Sequence, residues 1–358
     1  MFKSALGVVL SLVAFVIGAP AHAENAATAK AHARKHSHKK NVKHKAVQHG
    51  DAREKLVKKT VMVRGKKRKV AYQRVAYTPT ATVVPPVMTA GDLAGLNATH
   101  DPLALKSNAA LVIDQTSSQV LFEKNAGIAL PIASLTKLMT ALIVVEAHQN
   151  MDEVLEVTSD DIDRERNSSS RLRVGARLTR ANMLHIALMS SENRAASALG
   201  RNYPGGLPAF VAAMNAKAKA LGMNDAHYVD STGLSSHNVA SARDLAKLVV
   251  AAYQHAIIRE YSTDSKYTVD TGGHRVQYIT SNRLVMNSSW DIGLQKTGYI
   301  VEAGRCLVMQ AKIEGRPVVM VFLDSKGKDS RLADAGRIRK WLEMTKSQTF
   351  TQAAARQG

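Results

Sequence analysis

Residues 131–147 read Pro131-Ile-Ala-Ser134-Leu-Thr-Lys137-Leu-Met-Thr-Ala-Leu-Ile-Val-Val-Glu-Ala147. From Leu138 to Val145 the run is apolar apart from Thr140, and no charge appears before Glu146. A helix apolar on every side lies buried in the centre of a fold. Ser134 and Lys137, three residues apart, fall on one face in its first turn. That end of a helix carries free N–H groups and partial positive charge. An amine buried there loses proton affinity and can act as a base toward the adjacent hydroxyl. The spacing alone is weak evidence. S-x-x-K recurs at Ser37/Lys40, in a basic run, and at Ser325/Lys328, in the polar stretch Ser325-Lys-Gly-Lys-Asp. Only the middle copy opens an apolar helix, and on this motif alone an ordinary buried helix stands as the plainer alternative.

The formal charge of +20 is concentrated in one segment. Residues 24–78 hold 17 Lys and Arg against Glu24, Asp51 and Glu54, a net +14. Runs such as Lys35-His-Ser-His-Lys-Lys40 and Arg64-Gly-Lys-Lys-Arg-Lys69 cannot bury a core, so a mostly disordered basic arm is expected there. Residues 79–100, with Pro79, Pro85, Pro86 and Gly91, are expected to continue as linker. Ahead of the arm, Met1-Phe-Lys3, the apolar run Ala5–Ile17 and Ala21-His-Ala23 describe a signal peptide, residues 1–23, and hence an exported, periplasmic protein. An exported basic arm is not expected to meet nucleic acid. Its candidate partner is an anionic envelope surface, with a solvated tether as the bland alternative. His36 and His38 have no acidic or thiol ligand beside them, and no metal or cofactor is expected. Cys306 is the only cysteine, so no intramolecular disulfide forms, and its setting in Arg305-Cys-Leu-Val-Met reads as a buried strand thiol.

From residue 101 the pattern is that of a folded domain, extending to 345, with 346–358 as a polar tail. Ala109–Asp114 and Gln119–Phe122 flank Gln115-Thr-Ser-Ser118 as a hairpin. Thr179 can cap a helix to Met189, which stops at Ser190-Ser-Glu-Asn193 and resumes over Arg194–Leu199. Pro208 starts a helix ending near Gly222. Ser241-Ala-Arg-Asp244 opens another, capping-box-like, to Ala252. Leu294–Ile300, Cys306–Ile313 and Val318–Leu323 read as strands, the last two joined by Glu314-Gly-Arg-Pro317. Leu332, Ala335, Ile338 and Leu342 mark a final amphipathic helix. Strands at both ends with helices between give an α+β domain: one antiparallel sheet with a helical part beside it.

Three signals stand in order: Ser134-x-x-Lys137, Ser191-x-Asn193 and Lys296-Thr297-Gly298. The second is weak alone, since Ser236/Asn238 repeats it, but K-T-G occurs once. The set resembles the signature of penicillin-binding DD-peptidases and serine β-lactamases. The closer resemblance is to low-molecular-mass D-alanyl-D-alanine endopeptidases. It is carried by Ile132-Ala-Ser-Leu-Thr-Lys-Leu-Met-Thr140, Met189-Ser-Ser-Glu-Asn-Arg-Ala-Ala196, Asp230-Ser-Thr-Gly-Leu234, Ser241-Ala-Arg-Asp-Leu-Ala246 and Leu294-Gln-Lys-Thr-Gly-Tyr-Ile300, and spans about residues 100–345. It implies the β-lactamase/transpeptidase-like fold, an antiparallel β-sheet with helices on both faces and a helical subdomain.

The resemblance also implies roles: Ser134 as nucleophile, Lys137 as its base and Ser191 as proton relay to the leaving amine. Asn193 would hold the substrate amide, and Lys296 and Thr297 the carboxylate beside the scissile bond. Gly298 would let the strand approach the substrate, and the backbone N–H groups of Ser134 and Tyr299 would form the oxyanion hole. The implied partners are peptidoglycan peptide stems and, as covalent inhibitors, β-lactams. A DD-carboxypeptidase is the nearest alternative. That enzyme usually carries a second β-domain and a C-terminal amphipathic anchor, and Ser347–Gly358 is too short and polar for either. A class A β-lactamase would need an E-x-x-L-N loop, and no such string lies between Asn193 and Lys296. A non-catalytic wall-binding protein, the alternative of another class, would not need Ser134, Lys137 and Lys296 together.

Overall fold

A computed structural model describes residues 53–61, 69–77 and 88–355, with side chains described from 88 to 345. The chain divides into two compact units at Val83/Val84. The expected signal peptide and residues 24–52 of the arm lie outside the described residues. The first unit contains two antiparallel strands, β1 (Arg53–Val61) and β2 (Lys69–Tyr77), paired from Arg53↔Tyr77 to Val61↔Lys69. This corrects the expectation of disorder for those residues. Net charge averaged over the arm hid Val57, Thr60, Val61, Val70, Tyr72, Val75 and Tyr77, residue types that favour strands.

The second unit runs through α1 (Ala90–Leu93), β3 (Ser107–Asp114), β4 (Val120–Lys124), β5 (Leu130–Pro131), α2 (Thr136–Glu146), β6 (Val154–Glu156), β7 (Arg177–Thr179), α3 (Arg180–Met189), α4 (Asn193–Arg201), α5 (Gly206–Ala220), β8 (Val239–Ala240), α6 (Ala242–Tyr253) and α7 (Ala256–Thr263). It continues through β9 (Lys266–Asp270), β10 (Arg275–Ile279), β11 (Asp291–Ile300), β12 (Gly304–Ile313), β13 (Arg316–Ser325) and α8 (Ser330–Ala355). The main sheet has the order β11-β12-β13-β3-β4, antiparallel throughout.

Period-two alternation divides the core between its faces. On one face Leu111, Cys306, Val308, Val319 and Val321 share a cluster with Leu142 of α2 and Leu245 and Leu248 of α6. On the other, Val112, Leu307, Met309, Met320 and Phe322 pack with Ala335 and Ile338 of α8. The fold is therefore α+β with helices on both sheet faces, as the motifs implied. Among the described residues no helix is long and apolar enough to cross a membrane.

Several elements match the sequence reading closely. Thr179 caps α3 by accepting from the Asn182 N–H at 3.2 Å, and Ser241 caps α6 by accepting from the Asp244 N–H at 3.2 Å. The Asp244 carboxylate does not close the box; it accepts from the Asp225 N–H at 2.8 Å. Cys306 is buried in β12, and burial pushes its thiol up to about 12.

Three boundaries differ. The expected linker is folded from Met88 onward, because Thr89 caps α1 and its hydroxyl donates to Asp324 at 2.6 Å. α5 begins at Gly206, two residues before Pro208. The tail expected from 346 is helical to Ala355, where Lys346-Ser-Gln-Thr-Phe-Thr-Gln-Ala-Ala-Ala355 offers neither Gly nor Pro to end α8. α7 and the β9–β10 hairpin had no sequence signal strong enough to mark them.

Candidate active site

Ser134 lies in a 3-10 turn, Ala133–Leu135, that leads into α2, rather than in the α-helix itself. Ala133 enters the turn at φ +48°, in the left-handed region that costs an L residue energy. Gly233, at φ +79°, lies against it; a Cβ there would fall 2.0 Å from the Ala133 carbonyl oxygen. The helix behind is buried from Thr136 to Val144, as its apolar run requires.

Lys137 is 1% exposed. Its Nζ donates to Ser134 Oγ at 3.0 Å, to Asn193 Oδ1 at 2.7 Å and to the Thr232 carbonyl at 2.6 Å. Three acceptors satisfy three N–H bonds, yet among the described residues no carboxylate lies in ion-pair contact with the amine. Burial pulls its pKa down to about 8, against the upward pull of Asp230, Glu192 and Asp163.

Ser191 sits between α3 and α4 at φ +67°, a second strained position. Lys296 of β11, fully buried, donates to Ser191 Oγ at 2.9 Å and to the Thr297 carbonyl at 2.8 Å. Burial, then the charges of Lys137 and Arg331, push the Lys296 ammonium well below its ordinary range. Thr297 Oγ1 lies 2.7 Å from Ser281 Oγ. Gly298 has no room for a side chain: a Cβ would lie 2.8 Å from the Ile132 carbonyl oxygen and 3.2 Å from the Ser134 nitrogen. Gly298 thus brings β11 against the Ser134 turn, with Tyr299 next along the strand and half exposed at 53%.

All eight residues singled out in the sequence therefore line one edge of the sheet: Ser134, Lys137, Ser191, Asn193, Lys296, Thr297, Gly298 and Tyr299. The structure adds supports to which the sequence reading gave no role. Asp230 accepts from the N–H groups of Thr232 and Gly233 at 2.6 Å each, fixing the carbonyl that Lys137 uses. Asn238 Nδ2 donates to the same carboxylate at 2.6 Å. Ser168 Oγ accepts from Asn193 Nδ2 at 2.9 Å, and Ser281 Oγ donates to the Met189 carbonyl at 3.2 Å. Arg331, at the start of α8, is buried with Nε and Nη1 unpartnered and adds positive field at Lys296. Its burial is legible only in three dimensions, since a lone arginine near a helix start has no sequence signal. Among the described residues no group of three or more His, Cys, Asp and Glu could hold a metal ion.

Two hydroxyl–amine pairs, a close strand glycine and, among the described residues, no carboxylate in contact with either amine are the elements that serine acyl transfer calls for. Residues 96–327, more than half of the chain, match the family described as D-alanyl-D-alanine carboxypeptidase, and the chain belongs to that family of serine DD-peptidases. It is 48% identical over 254 residues to a Pseudomonas aeruginosa D-alanyl-D-alanine endopeptidase, covering 70% of this chain and 82% of that one. It is 42% identical over 252 residues to a D-alanyl-D-alanine endopeptidase of Escherichia coli, covering 70% and 81%. Among solved structures, the Streptomyces K15 DD-transpeptidase superposes with a TM-score of 0.63 at 26% identity, covering 68% of this chain and 98% of that one. Penicillin-binding protein D2 of Listeria monocytogenes, in its cefotaxime-bound form, superposes with a TM-score of 0.61 at 28% identity, covering 67% and 98%.

Proposed function

We propose that the protein is a periplasmic DD-endopeptidase that opens D-alanyl–diaminopimelate crosslinks of peptidoglycan through an acyl-enzyme on Ser134. The carrying observation is the Lys137 amine, 1% exposed and 3.0 Å from Ser134 Oγ, with its pKa brought down to about 8. As the free amine it takes the Ser134 proton while Oγ attacks the D-alanyl carbonyl carbon. The oxyanion is held by the N–H groups of Ser134 and Tyr299. Ser191 Oγ, bonded to Lys296, gives its proton to the departing amine as the C–N bond breaks and recovers one from the Lys137 ammonium, which returns that base to the free amine. Asn193 orients the acyl amide, and Lys296 and Thr297 hold the carboxylate beside the scissile bond, where Arg331 adds charge. Water then hydrolyses the ester and frees Ser134.

The names of the two relatives above favour the endopeptidase. The family description favours a carboxypeptidase as the second reading. The proposed periplasmic location rests on the export signal read in residues 1–23. By the same reading the +14 segment 24–78 engages an anionic envelope surface, and no nucleic acid is bound.

The test has two parts. Incubation with a fluorescent penicillin followed by peptide mapping should place one adduct on Ser134, and Ser134→Ala should lose at least about 10⁴-fold in acylation. An adduct elsewhere, or labelling that persists in the variant, overturns the nucleophile. Digestion of purified peptidoglycan should convert crosslinked dimers to monomers. Release of terminal D-alanine alone would select the carboxypeptidase, and release of neither would leave the non-catalytic wall binder.

A further inference from the structure

Past Tyr299 the sheet edge opens into a second concavity of about 460 Å³, whose walls include Tyr299, Val301, Arg305, Lys326 and Lys328. Arg305 is the cross-strand partner of Tyr299, so both side chains leave the same face of the sheet. The guanidinium lies 4.4 Å from the tyrosine ring centroid, which holds the fork in place over the pocket wall. Lys326 is paired with Asp92. Among the described residues neither Arg305 nor Lys328 has a carboxylate partner. Three cations therefore surround one opening, with a single acid on its wall, already engaged by Lys326. A planar, oriented guanidinium beside a flexible ammonium suits a carboxylate, which accepts two bonds from the one and a charge contact from the other.

The direction of the bound peptide says which carboxylate. In the proposed mechanism the leaving-group carboxylate sits at Lys296 and Thr297, and the scissile carbonyl points at the Tyr299 N–H. The acyl half must then continue along β11 past Tyr299 toward Val301, which is where the cavity lies. We propose that this cavity is a second anion subsite that takes a carboxylate carried by the acyl half of the peptide, with Arg305 and Lys328 selecting stems that bear one. The proposal rests on the peptidase reading. Its ligand is a free carboxylate in the residues preceding the scissile D-alanine. In a stem peptide that is the side-chain carboxylate of the diamino acid or the α-carboxylate of the glutamyl residue before it.

Three crosslinked dimer peptides, each cleavable at its D-alanyl–diaminopimelyl bond, separate these sources: in the acyl half, one has both carboxylates free, one has the diamino-acid side chain as carboxamide, and one is amidated at the glutamyl position. The wild-type protein should lose about tenfold or more in kcat/KM, carried by KM, on whichever amide removes the recognised group. Arg305→Ala combined with Lys328→Ala should bring that ratio to within about twofold of one. Arg305→Lys should fall between, because it keeps charge without the fork. Turnover of the amidated peptide reports that the variants fold. Lys328→Ala alone, at an exposed position with no carboxylate partner among the described residues, should still narrow the ratio. Equal turnover of all three peptides by the wild type, or full discrimination by the double variant, overturns the subsite alone. If the wild type cleaves none of them, the peptidase reading fails, and the subsite with it.

Discussion

The site holds two serine–lysine hydrogen bonds of nearly equal length, made in opposite ways. Ser134 and Lys137 meet at 3.0 Å within one turn of chain, whereas Ser191 and Lys296 meet at 2.9 Å across 105 positions. Both lysines are buried, and for both burial is the main force against the ammonium. Their remaining surroundings have opposite sign. Around Lys137, Asp230, Glu192 and Asp163 restore part of the proton affinity and leave it near 8. Around Lys296, Lys137 and Arg331 take more away. Equal geometry therefore does not make equal chemistry. In the proposed mechanism the first pair supplies the base, its amine brought down to about 8. The second is a buried amine whose charged form stays unfavourable unless an anion lies beside it.

The largest effect that could break this comparison lies at the base. Lys137→Arg retains a charge but cannot supply a free amine, because arginine stays protonated. Acylation by a soluble β-lactam should fall at least about 10²-fold, the low end for losing a general base. In the unmodified protein acylation should rise with pH, with a midpoint near 8, since the free amine is the competent form. Glu192 pushes the amine the other way, so Glu192→Gln should move that midpoint down. Stopped-flow acylation across pH 6 to 10 checks both. Near-normal acylation by Lys137→Arg removes the lysine from the mechanism, and an unmoved midpoint removes Glu192 from its field.

The same contrast explains what could be read in advance. Ser134–Lys137 was legible because a helix start and an apolar run are local, and i/i+3 spacing dictates the contact. Ser191 and Lys296 were legible only through resemblance, since nothing in the 104 intervening residues specifies that they meet. Supports such as Ser168, Ser281 and Arg331 carried no motif, being single polar residues whose partners come from other elements, and Asn238 stood only in the second S-x-N copy. The strand core was visible as apolar runs. α7 and the β9–β10 hairpin were not, because their buried positions are few: Ile258 and Ser262 in the helix, Val269 and Tyr278 in the strands. The β1–β2 ladder was missed for the opposite reason, charge outweighing strand-forming residues in the composition.

A middle-sized effect sharpens the second pair. Lys296 holds a buried amine whose proton the fold opposes, so replacing it should stabilise the protein while impairing substrate carboxylate binding. Lys296→Met should raise Tm at pH 7 by about 2–4 °C, the shift for roughly 1 kcal/mol in a domain of this size. The sign with pH follows from linkage. The lysine's pKa is lower folded than unfolded, so the unfolded chain binds more protons and wild-type stability climbs as pH rises toward the ordinary lysine pKa. The variant lacks that slope, and its advantage should shrink between pH 7 and 10. A lower Tm at pH 7, or an advantage that grows with pH, would show that the Ser191 and Thr297 contacts outweigh the buried charge.

The smallest effect on chemistry, and the sharpest on boundaries, concerns the N-terminal side. Removing residues up to 83 deletes the +14 segment, yet the site residues all lie in the second unit. A chain beginning at Val84 should acylate within about twofold of the full protein. It should sediment less with anionic vesicles or sacculi, and the difference should fade with salt, because exposed charges are screened over about 8–10 Å near physiological ionic strength. A chain beginning at Leu93 should behave worse. It loses the Thr89 hydroxyl bonded to Asp324 at 2.6 Å and the Asp92 partner of Lys326. Asp324 is buried, its Oδ1 already lacks a partner, and burial raises its carboxyl pKa. Without Thr89 it keeps only the Asn108 amide at 2.8 Å among its described side-chain partners. Losing one such bond at a buried acid costs about 1–3 kcal/mol, a lower Tm with the acylation rate of the folded fraction nearly kept. Equal stability of the two shortened chains would mean that α1 is a passenger on the domain. Loss of acylation in the chain from Val84 would mean that the first unit takes part in the folded enzyme.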